Sequence, residues 1–441
     1  MEPASICKRC YVMRNIFIYF ASVLVLTTGG LIYNFAISYY ILDVTKSPLL
    51  FSINTVIMSV GTIISLPIMG TFIDKYNRKS IIIFLEGLSC LSLILLLTYI
   101  YIYGFNIYFL FFITAIRSFI VPVVSNAFDA SLTQLFNEDK IQNILGQVGT
   151  IRTTVFLLGP LIAGVIYGFV TLETMILIFL ILQFISLLLN FFLVFDEYET
   201  NPIKEHEDKE NIIKYVMRKN KEAFKYIEKN DVLWRIILLA MIINSVGAAS
   251  FSVLPDTIMI KELSFDPYYV GIASSIMGLG SLLATLVLSR LKLNNPLKAM
   301  KMAFLVLAIV MTTFTLPVYI NMNNIYSLVY LSLIGLTMAF TFQFVSIPMM
   351  SYMQKSIDNQ FKGRVFSLLN TLGNVLLPIG TLIFGALYEM KIYFSANLFS
   401  SIIVIIVSSL LLNNSVIRKS KTIYNNKNST IEGGMKVEVQ E

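Results

Sequence analysis

Gly70-Thr-Phe-Ile-Asp74-Lys75-Tyr76-Asn77-Arg78-Lys79 sets a glycine, an acid and a cluster of bases on the short link between two long apolar runs, near 49–73 and 80–101. A run of about 20 apolar residues reaches across the ~30 Å hydrocarbon layer of a bilayer. The stretch is therefore a turn at a membrane surface, in a chain that is otherwise oily.

Composition points the same way. Of 441 residues, 56% are hydrophobic and only 13% charged, against roughly a quarter charged in soluble domains. Apolar runs bounded by charge, proline or asparagine recur near 15–41, 49–73, 80–101, 106–134, 142–167, 171–195, 233–258, 268–290, 299–320, 324–352, 365–388 and 392–414. They predict an all-α polytopic membrane protein with twelve transmembrane helices. The first run follows Lys8, Arg9 and Arg14, as the core of a signal peptide would. At about 27 residues and without a small-residue cleavage site, it reads instead as a retained helix. Cys7, Cys10 and Cys90 are too few for a disulfide framework, and Cys7 with Cys10 supplies two of the four ligands of a structural zinc. No metal and no cofactor is expected.

The basic residues orient the chain. With both termini cytoplasmic, the inner segments hold 27 of the 33 Lys and Arg, the outer loops hold only Lys46, Lys261 and Lys391, and Arg117, Arg152 and Arg235 lie within helices. This bias is what insertion beside an anionic leaflet asks for, and it accounts for the net charge of +7 without a nucleic-acid partner.

Four segments follow: an N-terminal six-helix bundle over 1–195, a cytoplasmic linker over 196–231, a C-terminal six-helix bundle over 232–414 and a disordered cytoplasmic tail over 415–441. The linker carries eight Lys/Arg against ten Asp/Glu, and apolar residues between Lys209 and Asn230 recur at mostly helical spacing. An amphipathic helix on the inner membrane face is expected there. Shifting the chain by 221 positions lays Gly159, Gly164 and Tyr167 over Gly380, Gly385 and Tyr388, as in a duplication. Repeated halves enclosing a site near the bilayer midplane are a transporter design.

A charge near the bilayer centre costs at least ~2.5 kcal/mol, so deep ionisable residues invite a functional reading first. Arg117, about 11 residues from the outer end of the fourth run, and Arg152, about 10 from the inner end of the fifth, fall near ~15 Å depth, and Glu86 sits roughly 9 Å inside the third. These three are the candidate coupling residues and substrate path. The runs from the eighth onward have no acid or base well inside the membrane; Asn244, Gln343, Asn370 and Asn374 of the C-terminal half, with Asn34 in the first run, are possible substrate contacts. Phe340, Phe342 and Phe344 would suit an apolar ligand, although simple helix packing is the better account of any single one.

With these features in place, the chain resembles the major facilitator superfamily over about residues 12–415. The family's loop signature, Gly-x-x-x-Asp-(Arg/Lys)-x-Gly-(Arg/Lys)-(Arg/Lys), is matched by Gly70, Asp74, Lys75, Arg78 and Lys79, with Asn77 in place of the inner glycine. Asn tolerates a left-handed backbone, so the turn should survive. The resemblance implies an inner gate in which Asp74 faces the start of the eleventh helix and Arg78 bridges it to an acid ending the fourth, here Asp129. Arg117 is similar to the helix 4 arginine of a second family motif. Gly146, Gly159, Pro160 and Gly164 resemble the helix 5 motif of antiporters, with departures at Val155 and Ala163. Within the superfamily, the segment Ala36–Pro48, Glu86 and Gly363-Arg364-Val365-Phe366-Ser367 are similar to bacterial macrolide-efflux-like drug:proton antiporters, although Gly30 stands where those relatives often carry an acid.

The resemblance implies a secondary active transporter in a bacterial cytoplasmic membrane, a functional monomer that exports lipophilic drug-like or natural-product molecules in exchange for protons and thereby confers antibiotic resistance. A dedicated exporter of one metabolite, such as a siderophore or peptide, and a non-transporting sensor or immunity protein on the same scaffold are the alternatives. No Walker loop, zincin motif or nucleotide fingerprint is visible, so ATP-driven transport and enzyme activity are not expected.

Overall fold

The computed structural model describes residues 3–75, 77–195, 221–222, 224–291, 293–320 and 322–420. Every element among them is helical. The long helices are α1 (Pro3–Thr45), α2 (Pro48–Lys75), α3 (Arg78–Tyr103), α4 (Ile107–Ala130), α5 (Glu138–Tyr167), α6 (Leu172–Phe191), α7 (Asp231–Ser252), α8 (Pro267–Arg290), α9 (Pro296–Thr313), α10 (Asn324–Ser356), α11 (Asn359–Val375, continuing past Leu376 as Leu377–Glu389) and α12 (Tyr393–Leu411). Eleven helices among the described residues are long and apolar enough to cross a membrane; α7, at 22 residues, is not one of them. The chain is a multi-pass membrane protein.

Side chains fix several helix starts. Asn106 accepts the amides of Tyr108 and Phe109 at 2.9 and 3.2 Å, and Asn295 accepts that of Lys298 at 3.2 Å, each satisfying donors that the first helical turn leaves open. Asn77 does the same for α3, taking the Ser80 amide at 3.1 Å with φ −60° and ψ 116°. Its backbone is extended, so asparagine replaces the signature glycine as a capping side chain and not as a left-handed hinge.

The chain divides into two compact units. The first comprises Met1–His206 with Ser264–Ser275, the second Glu207–Leu263 with Ile276–Glu441. The start of α8 thus joins the first six helices, and small residues explain why. A Cβ on Gly271 would sit 2.5 Å from the Pro160 carbonyl oxygen and 3.2 Å from the Gly164 Cα, so only glycine permits this approach. Nearby, the Leu161 amide donates to Ser275 Oγ at 3.0 Å, and Tyr39 donates to the Phe265 carbonyl at 3.0 Å.

In the second unit, the expected linker helix is represented by 221–222 and 224–228; the rest of 209–220 lies outside the described residues. Ile227 is fully buried in this unit's core, Phe224 meets Trp234 edge-on at 5.6 Å, and Tyr226 stacks on Phe361 at 4.5 Å. The Tyr226 hydroxyl donates to Asp358 Oδ2 at 3.2 Å, and burial pushes this phenol up from its ordinary value, which keeps it a donor. The tail departs from expectation. Residues 414–420 are helical, Val416 and Ser420 are buried, and Lys301 and Asn295 donate to the Leu412 and Ile417 carbonyls at 3.1 and 3.2 Å. Apolar side chains at 416 and 417 find the core there; 421–441 lie outside the described residues.

Candidate functional site

Glu86 is fully buried in the first unit. It points from α3 into a polar cluster contributed by α1 and α6. Ser186 Oγ donates to Glu86 Oε1 at 3.1 Å, Asn190 Nδ2 donates to Oε2 at 2.7 Å, and Ser22 Oγ lies 2.9 Å from Ser186 Oγ. Since the Ser186 proton goes to the carboxylate, Ser22 is the donor in the last contact. No cation touches Glu86 among the described residues; its partners are neutral. Asn190 Oδ1 is buried with no partner of its own, which is unusual for so strong an acceptor.

Arg117 lies close by. It is 6% exposed, and its Nη1 donates to Ser89 Oγ at 2.9 Å. Ser89 is three residues beyond Glu86, on the same face of α3. The guanidinium carbon sits 4.8 Å from the ring centroids of both Tyr33 and Phe179. A desolvated cation between two aromatic faces gains roughly 2 kcal/mol or more from their quadrupoles. Gly29 admits this arrangement, because a Cβ there would meet Phe179 at 2.7 Å.

Arg152 requires a correction. Expected near Glu86 and Arg117, its guanidinium instead meets Asp129 Oδ1 at 3.4 Å, with the two side chains 46% and 44% exposed. Side chains lean toward the N-terminus of their helix, and α5 begins at the Arg78 end of the unit. A long arginine therefore carries its charge down to the last turn of α4.

At that same end, the signature loop does something the sequence did not disclose. Arg78 Nη1 donates to the Ala130 carbonyl at 2.8 Å, closing the C-terminus of α4, while Lys79 Nζ donates to the Phe191 and Leu193 carbonyls at 2.9 and 2.8 Å, closing that of α6. Cations suit these unpaired carbonyls and the negative end of the helix dipole. Gly70, Asp74 and Lys75 lie in the last turns of α2, and the side chains of Asp74 and Lys75 fall outside the described residues, as does that of Asn370. In α5, Gly159 packs against Leu31, whose Cδ2 lies 2.6 Å from where a Cβ would be, whereas Gly146 faces open space.

The remaining candidates are dispersed. Asn34 is exposed within the first unit. In the second, Asn244 Nδ2 donates to the Gly373 carbonyl at 2.9 Å, Gln343 is half-buried, and Asn374 is exposed. Phe342 packs against Phe251 at 5.0 Å and Phe340 against Phe344 at 5.2 Å. Among the described residues no three His, Cys, Asp or Glu are grouped as metal ligands would be.

Sequence reading missed Ser22, Ser89, Ser186 and Asn190. A signal was present: Gln183, Ser186 and Asn190 form a buried polar stripe at i, i+3 and i+7 in an otherwise apolar α6.

The first unit thus sets a buried carboxyl and a buried guanidinium among helices long and apolar enough to cross a membrane. The family model of the Major Facilitator Superfamily matches residues 17–381, and the chain belongs to that family. An uncharacterized MFS-type transporter of Bacillus subtilis (strain 168), YvqJ, is 22% identical over 340 residues, covering 76% of this chain and 75% of its own. Among solved structures, the nucleoside transporter NupG superposes with a TM-score of 0.65 at 14% identity, covering 91% of this chain and 98% of its own. A bacterial homologue of the iron transporter ferroportin in an inward-facing state gives 0.66 at 14% identity, covering 91% and 99%. At these identities the likeness is one of fold, and the fold and family are those of transporters, not enzymes.

Proposed function

We propose that this chain is a secondary active exporter of lipophilic drug-like or natural-product molecules. It works by proton antiport and alternating access as a monomer in a bacterial cytoplasmic membrane, with both termini inside. Glu86 carries the exchanged proton.

The observation that supports this reading most is the pairing of Glu86 with neutral donors beside the orphaned Asn190 Oδ1. A carboxylate held by Ser186 and Asn190 loses its charge without breaking an ion pair. Once protonated, it becomes a donor, and the amide of Asn190 needs only to turn over for Oδ1 to receive that proton; which way an amide points is in any case assigned from its bonds. Glu86 Oε2 then has Asn190 as its partner in either protonation state. Arg117 of α4, bonded to Ser89 one turn along α3 from Glu86 and held between aromatic faces instead of at the carboxylate, tunes the field at Glu86 and does not compete for it.

A susceptibility panel in an efflux-deficient bacterial host, with and without a protonophore, tests the reading. Resistance to lipophilic compounds that the protonophore abolishes supports it. A flat panel would favour the dedicated metabolite exporter, for which the exposed Arg152 is the specific observation.

A further inference from the structure

Arg117 has more donors than the first unit gives it acceptors. A guanidinium carries five N–H groups, and the bond from Nη1 to Ser89 Oγ at 2.9 Å is the one hydrogen bond that Arg117 makes among the described residues. No acid pairs with it there. The rings of Tyr33 and Phe179, each 4.8 Å from the guanidinium carbon, attract the charge but supply no counter-charge. One neutral oxygen and two rings offset only part of the cost of taking a guanidinium out of water, and buried charges are as a rule paired.

The neighbouring hydroxyls add further donors. Tyr33 is buried, and its hydroxyl has no hydrogen-bond partner, although it stands on the very ring that the guanidinium covers. That ring is held against Phe179 at 5.0 Å. Ser89 is buried as well; its oxygen accepts from Arg117, and its proton reaches no acceptor among the described residues. Helices α1, α3 and α4 thus bring a phenol, a serine and a guanidinium together with donors to spare. Gly30, one turn before Tyr33 on α1, has open space where a side chain would stand, so room remains beside them.

We propose that Arg117, Tyr33 and Ser89 form a binding site for a small inorganic monoanion, with chloride as the ligand. Arg117 supplies the charge, and the Tyr33 and Ser89 hydroxyls donate alongside it. Chloride has no geometry of its own and accepts from several directions at once, which suits three donors on three separate helices. Arg117 is the one cation that touches these side chains among the described residues, so a single negative charge balances the site. Ser89 lies one turn along α3 from Glu86, and a bound anion would set how strongly Arg117 acts on that carboxyl. The site itself does not depend on the exporter reading.

The test is equilibrium binding of radiolabelled chloride to the full-length protein in phosphatidylcholine nanodiscs, with gluconate as the balancing anion. The native protein should bind chloride saturably. Tyr33→Phe keeps the ring under Arg117 and removes only the hydroxyl; it should weaken binding about tenfold, the worth of one hydrogen bond to a charged group. Ser89→Ala should do the same, and Arg117→Gln should abolish saturable binding. A purely structural cluster predicts no effect of Tyr33→Phe on anything that depends on chloride, so this conservative variant decides the matter even where Arg117→Gln fails to fold. Absence of saturable binding to the native protein, or saturable binding unaltered by Tyr33→Phe and Ser89→Ala, overturns the site. Displacement of chloride by benzoate at equal or lower concentration would assign the donors to the carboxylate of an organic ligand and overturn the inorganic anion as well. Because the readout is chloride binding, a flat susceptibility panel leaves this result standing, and failure here leaves the exporter reading standing.

Discussion

Replacing Glu86 with glutamine separates proton coupling from folding. The two bonds that Glu86 accepts, 3.1 Å from Ser186 and 2.7 Å from Asn190, are worth roughly 1.5–3 kcal/mol each when the carboxyl is ionised. A glutamine keeps both contacts in neutral form. Its carbonyl accepts from Ser186, and, once the Asn190 amide turns over, its amide donates to Asn190 Oδ1, the acceptor that stands unpaired in the native protein. Stability of the purified variant should therefore stay within about 1 kcal/mol of the native value. Glu86→Leu makes the contrast. It strips the Asn190 amide of its best acceptor in a buried site, at about 1–3 kcal/mol. Transport should respond differently: Glu86→Gln holds the site permanently in the state that resembles the protonated acid, so an imposed pH gradient should no longer drive accumulation in inverted vesicles, although substrate still binds. Paired denaturation and vesicle-flux measurements read both quantities. A Glu86→Gln protein that follows the gradient at the native rate refutes the reasoning and makes Asp129 the next candidate.

Other expectations follow from the same geometry. Arg117→Lys keeps the charge but loses the planar fit between Tyr33 and Phe179; it should cost about 1–2 kcal/mol of stability and alter the pH dependence of transport alike for every compound, whereas selective loss of acidic compounds would make Arg117 a substrate contact. Gly164→Val forces a side chain into the Pro267 carbonyl and Gly271 and should abolish transport; a protein with normal flux would remove this packing from the account. Asn77→Ala removes the cap on α3 and should destabilise the protein by about 1 kcal/mol, while Asn77→Gly, which restores the family's residue, should lose only a few tenths; equal losses on denaturation would discard the capping role.

Much of the fold was legible because the bilayer imposes it. The apolar runs at 80–101 and 171–195 sit on α3 and α6 within a few residues, since lipid demands a minimum length of apolar helix. Boundaries were harder where helices continue past the hydrocarbon layer. The run at 365–388 begins six residues inside α11, which starts at the polar Asn359 and breaks at Leu376 before Pro378. The run at 233–258 was expected to be continuous, but α7 ends at Ser252, and a π-helical turn follows over Thr257–Glu262 after Pro255. The deep charges stood out against an oily background. Their partners did not, because Ser186 and Asn190 lie 100 and 104 positions from Glu86 and serine and asparagine are unremarkable in a membrane helix until packing brings them to a carboxylate. Arg152 was misjudged for a different reason: residue counting locates a Cα, while the charge at the end of a long side chain settles where its partner is.

The most direct test of proton-coupled export by this chain is proton counterflow. The purified protein is reconstituted in liposomes holding a pH-sensitive dye, a compound identified by the susceptibility panel is added, and lumenal pH is followed. The account predicts a compound-dependent proton flux opposite to compound movement in the native protein and none in Glu86→Gln. Compound movement across the native protein with no accompanying proton flux would contradict it.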